Sequence, residues 1–332
     1  MFPTVVRWTI RAALAVLLLL LVTLAGFRLA AAWREAYGAT PPRDGRLVAT
    51  PTGGIFIQTR GPDDGPALLM VPGTAAWSGF WLDIADALGR EGYRAIAIDL
   101  PPFGFSDRSM TNAYSRKDQA ERISALIATL DLKSPIVIGH SFGAGPVVEA
   151  AMRHANQIRG VVLVDGALGL PPEGEDYAPD NAVSRFLFDQ PTIAETLVAA
   201  TMVNPWLTRR LLAGLLFKTE AATEAEADIL RRPYSRPGTT QAYARWLPRL
   251  LFPDREAMSA RAENYRKVAT PVALIWGLED SVTPIGQGQR LQNLLKGSTL
   301  DIIDGVGHIP HIEDEQAFLT ILKKRLKEIA TR

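Results

Sequence analysis

Gly139-His140-Ser141-Phe142-Gly143 sets a serine between two glycines, after the β-branched run Ile136-Val137-Ile138 and before a stretch, Ala144 to His154, that reads as a helix. A serine on so tight a strand-to-helix turn holds its hydroxyl clear of the backbone. The backbone N–H of the next residue then sits at the positive end of a helix, where an oxyanion is stabilised. Gly139 and Gly143 supply the room that such a turn needs, and Phe142 supplies the N–H. The chemistry this pattern suits is nucleophilic attack on a carbonyl. It requires a base within hydrogen-bond reach and a third group that fixes the tautomer of that base.

Four histidines are available. His140 lies at a buried strand end, and His154 lies within the helix that follows Ser141. His308 and His311 belong to Gly305-Val306-Gly307-His308-Ile309-Pro310-His311, which follows the last apolar strand. Loops at the carboxyl edge of an open α/β sheet gather on one side, the side on which Ser141 emerges. His308, preceded by two glycines, is the expected base, with His311 as its neighbour. The acid expected from the order serine, carboxylate, histidine is Asp280, in Trp276-Gly277-Leu278-Glu279-Asp280, with Glu279 as a surface charge. Asp165, at the end of the strand after the serine helix, competes for that role, and Asp280 alternatively makes an Asx turn. The second oxyanion donor is expected from Val71-Pro72-Gly73-Thr74, as the backbone N–H of Thr74 paired with that of Phe142. Asp99 is expected to hold its own loop by hydrogen bonds.

The elements that position these residues alternate. Expected strands are Leu47 to Thr50, Ile55 to Thr59, Ala67 to Val71, Tyr93 to Ile98, Ile136 to Ile138, Gly160 to Val164, Val272 to Trp276 and Thr299 to Ile303. Between them lie helical stretches such as Phe80 to Arg90, Arg116 to Leu130 and Glu315 to Ile329. This βα beat implies a doubly wound, mostly parallel sheet covered on both faces. It breaks from Gly166 to Thr270, where helical stretches at Thr192 to Met202, Leu207 to Phe217 and Thr223 to Leu230 suggest an inserted cap over residues 168–265. The cap carries Phe186, Leu197, Trp206, Leu211, Leu212, Phe217 and Trp246, and part of this apolar surface is expected to face the cleft above Ser141.

At the amino end, Ala12 to Phe27 is free of charge, with Arg7 and Arg11 before it and Arg28 and Arg34 after it. Extended to Ala32 it reaches the ~20 residues that cross a bilayer, with Trp8 and Trp33 placed like interfacial aromatics. Residues 1–34 are therefore expected to be a membrane anchor, the alternative being a signal segment cleaved after Ala30-Ala31-Ala32. Residues 35–46, with two prolines, read as a linker to a domain over 47–332 that lies outside the cytoplasm. Thirty-six basic and 35 acidic side chains leave no electrostatic footprint for nucleic acid. Without cysteine there is neither a disulfide framework nor a thiolate metal site, and the mechanism asks for no cofactor.

From about Leu47 onward the chain resembles the α/β-hydrolase superfamily with a helical cap between the sixth and seventh strands. The resemblance rests on the Ser141 turn, the Asp99-Leu100-Pro101 loop ending in Gly104-Phe105-Ser106, the Trp276-Gly277 strand end and the Gly307-His308 loop with Glu313. It implies a serine hydrolase acting on an ester-like bond of a small, fairly apolar substrate. Carbon–carbon bond hydrolysis, amide hydrolysis, acyl transfer and a non-catalytic tethered binding protein are the alternatives. Many relatives carry His-Gly where this chain has Pro72-Gly73. Family dehalogenases and epoxide hydrolases carry an aspartate at the position of Ser141, which argues against both chemistries.

Overall fold

The computed structural model describes residues 2–171 and 174–331; Pro172 and Glu173, inside the expected cap, lie outside the described residues. Eight strands form one sheet: β1 (Gly45–Thr50), β2 (Gly53–Arg60), β3 (Ala67–Val71), β4 (Arg94–Ile98), β5 (Ile136–His140), β6 (Gly160–Val164), β7 (Val272–Gly277) and β8 (Thr299–Ile303). Their order is β1-β2-β4-β3-β5-β6-β7-β8, antiparallel at β1–β2–β4 and parallel from there on. The central strands β5, β6 and β7 are buried at every residue, which is why they read as unbroken apolar runs rather than as alternation.

Helices α1 (Phe2–Tyr37), α2 (Leu82–Arg90), α3 (Arg116–Thr129) and α4 (Ala144–Arg153) precede the cap. One face of the sheet packs on α3, α4 and, after the cap, α12 (Ile285–Leu294); the other packs on α2 and α14 (Glu315–Ala330). Ser115 opens α3 with a reciprocal capping box to Asp118, so the boundary visible in the sequence is set by local hydrogen bonds.

Between β6 and β7 the chain is helical: α5 (Ala182–Asp189), α6 (Pro191–Ala200), α7 (Pro205–Ala213), α8 (Glu224–Arg231), α9 (Thr239–Trp246), α10 (Pro248–Leu251) and α11 (Ala262–Tyr265). The cap's apolar residues divide. Trp246, Val198, Ala194 and Tyr243 are buried in one cluster with Phe142, whereas Leu212 and Leu216 pack with Ala76, Phe80 and Ile309. Trp206, Phe186 and Phe217 face outward instead.

α1 contains a stretch long and apolar enough to cross a membrane. The expected linker over residues 35–46 is corrected here. The helix continues through Tyr37, and the Glu35 carboxylate accepts hydrogen bonds from the Gly238 and Thr240 N–H groups, both at 2.8 Å. These are donors that α9, whose own N-cap offers no side chain, would otherwise leave open. A charge committed to a helix start fixes the segment to the cap, leaving only Gly38 to Asp44 as connection.

Candidate active site

β5 ends at His140 and α4 begins at Ala144, so three residues reverse the chain. Ser141 takes φ +51°, the left-handed region, which costs a non-glycine residue on the order of 1–3 kcal/mol. Its neighbours explain how the turn closes. A Cβ added to Gly143 would lie 2.4 Å from the Pro72 carbonyl, and one on Gly139 would lie 3.0 Å from the Ala144 Cα. Gly73 presses against the same turn, its added Cβ falling 3.0 Å from Ser141 Cβ, and Thr74 follows it, half-buried.

The structure brings Ser141, His308 and Asp280 together. His308 Nε2 lies 2.8 Å from Ser141 Oγ, and His308 Nδ1 lies 2.8 Å from Asp280 Oδ2. All three are buried. Asp280 also accepts from the Val282 N–H at 2.7 Å, the Thr283 N–H at 2.9 Å and the Thr283 hydroxyl. Burial works against its charge, but the hydrogen bonds from His308 and Thr283 outweigh it and hold the carboxyl below its usual range. The Asx turn and the contact with histidine thus coexist, each using a different oxygen first. Glu279, next in sequence, is exposed.

Asp165 accepts from the Gly277 N–H at 2.9 Å and comes near the pair without bonding the histidine. Burial, reinforced by the Asp280 charge, pushes its carboxyl well above the usual range. Donor atoms of Asp165, Asp280 and His308 lie within 4.8 Å of one another, the spacing of a metal cluster. Since His308 Nδ1 is engaged by Asp280 and Nε2 by Ser141, the set is arranged to move a proton rather than to ligate an ion. Asp99 receives the Ser78 N–H at 2.7 Å and the Phe105 N–H, and burial raises it to about 6, in keeping with a structural role.

Two residues around His308 act through its backbone. His140 Nε2 lies 2.8 Å from the His308 carbonyl oxygen, and burial, then His308, drives the His140 pKa down to about 3. A neutral imidazole there donates to the carbonyl and pins the loop. Glu313 accepts from the Gly307 N–H at 3.1 Å, the Ile309 N–H at 3.3 Å, and the Phe217 and Lys218 N–H groups at 2.8 and 2.9 Å. It ties the His308 loop to the cap. The signal for it in the sequence was a carboxylate five residues after His308, in a run otherwise apolar. His311 stacks on Trp81 with ring centroids 4.3 Å apart, and His154 bonds Glu121 at 3.1 Å.

Two outcomes are expected. Exchanging Glu313 for glutamine turns an amide N–H₂ toward backbone donors, so kcat should fall roughly tenfold while stability drops by about 2–3 kcal/mol, read by steady-state turnover and denaturant unfolding. For His140 the folded pKa lies below the unfolded one. Its contribution is full above about 6.5 and is lost as pH falls toward about 3. The stability advantage of the parent over His140→Gln should therefore shrink across that window in thermal unfolding measured as a function of pH.

Comparison with known proteins identifies the fold. The sequence pattern of the alpha/beta hydrolase fold matches residues 66–315. The chain is 24% identical over 282 residues to a 2-hydroxy-6-oxo-2,4-heptadienoate hydrolase of Pseudomonas putida, covering 84% of this chain and 94% of that one. A crystallised membrane phospholipase A superposes with TM-score 0.68 at 21% identity over 100% of both chains. An esterase from Exiguobacterium antarcticum does so with TM-score 0.66 at 17% identity, over 85% of this chain and 99% of that chain. With the pattern spanning three quarters of its length, from β3 to the start of α14, this chain belongs to the α/β-hydrolase family and is a hydrolase.

Proposed function

We propose that the protein is a serine hydrolase that cleaves an ester-like bond of a small, apolar substrate while held at a membrane by α1. The observation that carries this reading is the unbroken line Asp280–His308–Ser141, with 2.8 Å at both histidine nitrogens. Ser141 Oγ attacks the carbonyl carbon as His308 Nε2 takes its proton, and Asp280 stabilises the imidazolium. The N–H groups of Phe142 and Thr74 receive the oxyanion. His308 returns the proton to the departing alcohol, leaving an acyl-serine. Water, deprotonated by His308, then attacks the acyl carbon and releases the acid and free Ser141.

Aromatic groups on the cap side of the turn support an apolar substrate: Phe142 meets Trp246 at 4.9 Å, and Phe103 meets Trp246 at 4.7 Å and Tyr243 at 4.9 Å. The half-buried Arg236 is already bonded to the Gly104 and Ser106 carbonyls. A second reading, carbon–carbon bond hydrolysis, is favoured by the Pseudomonas putida relative and by a 2-hydroxymuconate semialdehyde hydrolase of Pseudomonas sp., 23% identical over 86% of this chain. The retained anchor is supported by the burial of Ala31 and by the bonds from Arg34 and Glu35 to the cap. An extracytoplasmic catalytic domain is the orientation that Arg7 and Arg11 before the apolar run favour, against Arg28, Arg34, Arg43 and Arg46 after it.

The test is a substrate panel on the detergent-solubilised full chain: p-nitrophenyl esters of rising acyl length against a 2-hydroxy-6-oxo-dienoate. Ester turnover with a preference for uncharged acyl groups is expected. Turnover of the dienoate with no ester turnover would transfer the assignment to the second reading.

A further inference from the structure

α1 meets the cap along one face. From Val6 to Thr23 every residue is exposed, and covered positions begin at Leu24, Phe27, Arg28, Ala31, Arg34 and Glu35, spacings of three and four that line one side of a helix. Bonds fix this face at successive levels. Arg28 pairs with Glu195 of α6 at 2.5 Å, Arg34 donates to the Val203 carbonyl at 2.8 Å, and Glu35 receives the start of α9. A helix held in this way cannot swing away from the cap, so the lipid around its apolar part is held at a fixed place against the cap too.

That place follows once the span is taken to end at Arg28, the first charge after the apolar run, rather than at Ala32. At 1.5 Å per residue, a span of about 20 residues ending at Arg28 begins near Thr9 and covers the hydrocarbon thickness of about 30 Å. The boundary on the domain side then falls at Arg28, the residue paired with α6. α5 and α6 both carry exposed apolar stripes: Val183, Phe186 and Leu187 at spacings of three and four, and Ile193 and Leu197 four apart. Leu251 of α10, which packs beside α5, is exposed as well. On its other side α6 buries Ala194 and Val198 in the cluster that includes Phe142.

We propose that this face of α5, α6 and α10 is a second membrane contact, lying on the lipid surface that α1 enters, with α6 as the layer between lipid and the Ser141 turn. The partner is a bilayer because α6 packs on the apolar helix and α5 packs on α6, and because the Arg28–Glu195 pair sets the depth of α6. Apolar side chains at that depth lie in the headgroup region, where amphipathic helices bury their apolar faces. The proposal rests on the anchor reading above.

The chain has no cysteine, so single probes are clean. Leu19→Cys, Phe186→Cys, Leu197→Cys and Lys133→Cys of the full chain, each carrying an environment-sensitive fluorophore, are reconstituted into phosphatidylcholine vesicles with brominated acyl chains. Lys133 is exposed and precedes β5, at the sheet edge opposite Ser141. Quenching at Leu19, Phe186 and Leu197 is expected to exceed that at Lys133 by roughly threefold or more, as for apolar groups seated in the interface. No excess at Leu19 would overturn the anchor reading, and this proposal with it. Quenching at Leu19 with Phe186 and Leu197 no different from Lys133 would leave the anchor standing and overturn the cap contact. Emission at Phe186 that shifts with protein density but is not quenched would give the face to a second copy of the chain, and equally overturns it.

Discussion

Ser141→Ala is expected to leave a folded protein whose kcat on p-nitrophenyl esters is lower by roughly 10⁵-fold, because nucleophile, base and acid act as one unit. The substitution removes one hydroxyl, whose partner is His308 Nε2, and leaves the φ of +51° that the turn imposes. Alanine tolerates that conformation no worse than serine does. Nothing in the packing of Gly139, Gly143 or Gly73 depends on the oxygen, so thermal unfolding should stay within a few degrees of the parent. His308→Ala is expected to fall as far, since without it the hydroxyl keeps its proton. The measurement is steady-state turnover beside a melting curve. Residual activity within about a hundredfold of the parent would show that another group attacks the ester.

Asp280→Asn and Asp165→Asn should separate by about three orders of magnitude. Asp280 is the ionised partner: it holds His308 Nδ1–H at 2.8 Å and keeps Nε2 free to accept the serine proton. An asparagine there presents an N–H₂ that favours the opposite tautomer, and about 10⁴-fold is the expected loss in kcat. Burial raises the Asp165 carboxyl, favouring the neutral form that asparagine matches in charge and shape, and an asparagine carbonyl still accepts from the Gly277 N–H. Its loss should stay within about tenfold, under ~1.4 kcal/mol of barrier. The reverse order of losses would move the acid to β6.

The fold was legible where burial is complete. β3 and β6 were delimited to the residue, since an unbroken apolar run such as Gly160-Val161-Val162-Leu163-Val164 marks its own ends. α9 was not read, because its start is satisfied by Glu35, some two hundred residues away, and no local pattern encodes such a partner. The same bond turns an apparent linker into part of a helix. Which cap residues turn inward was not legible either: Trp246 and Trp206 look alike in sequence, but α9 buries the first in the cluster with α6 while the second is exposed on α7. Around the site, the order of Ser141, Asp280 and His308 pointed to three side chains that the fold brings together. The duty of His140 was hidden, since it acts on a backbone carbonyl whose position the sequence does not reveal; Glu313 stood out in the sequence, but its backbone donors did not.

The most direct test of the central claim is labelling of the full chain with a fluorophosphonate, followed by peptide mass analysis. One equivalent on Ser141, abolished in Ser141→Ala and slowed by orders of magnitude in His308→Ala, is the predicted result. A chain that stays unlabelled while folded, or that carries its label on another serine, would contradict it.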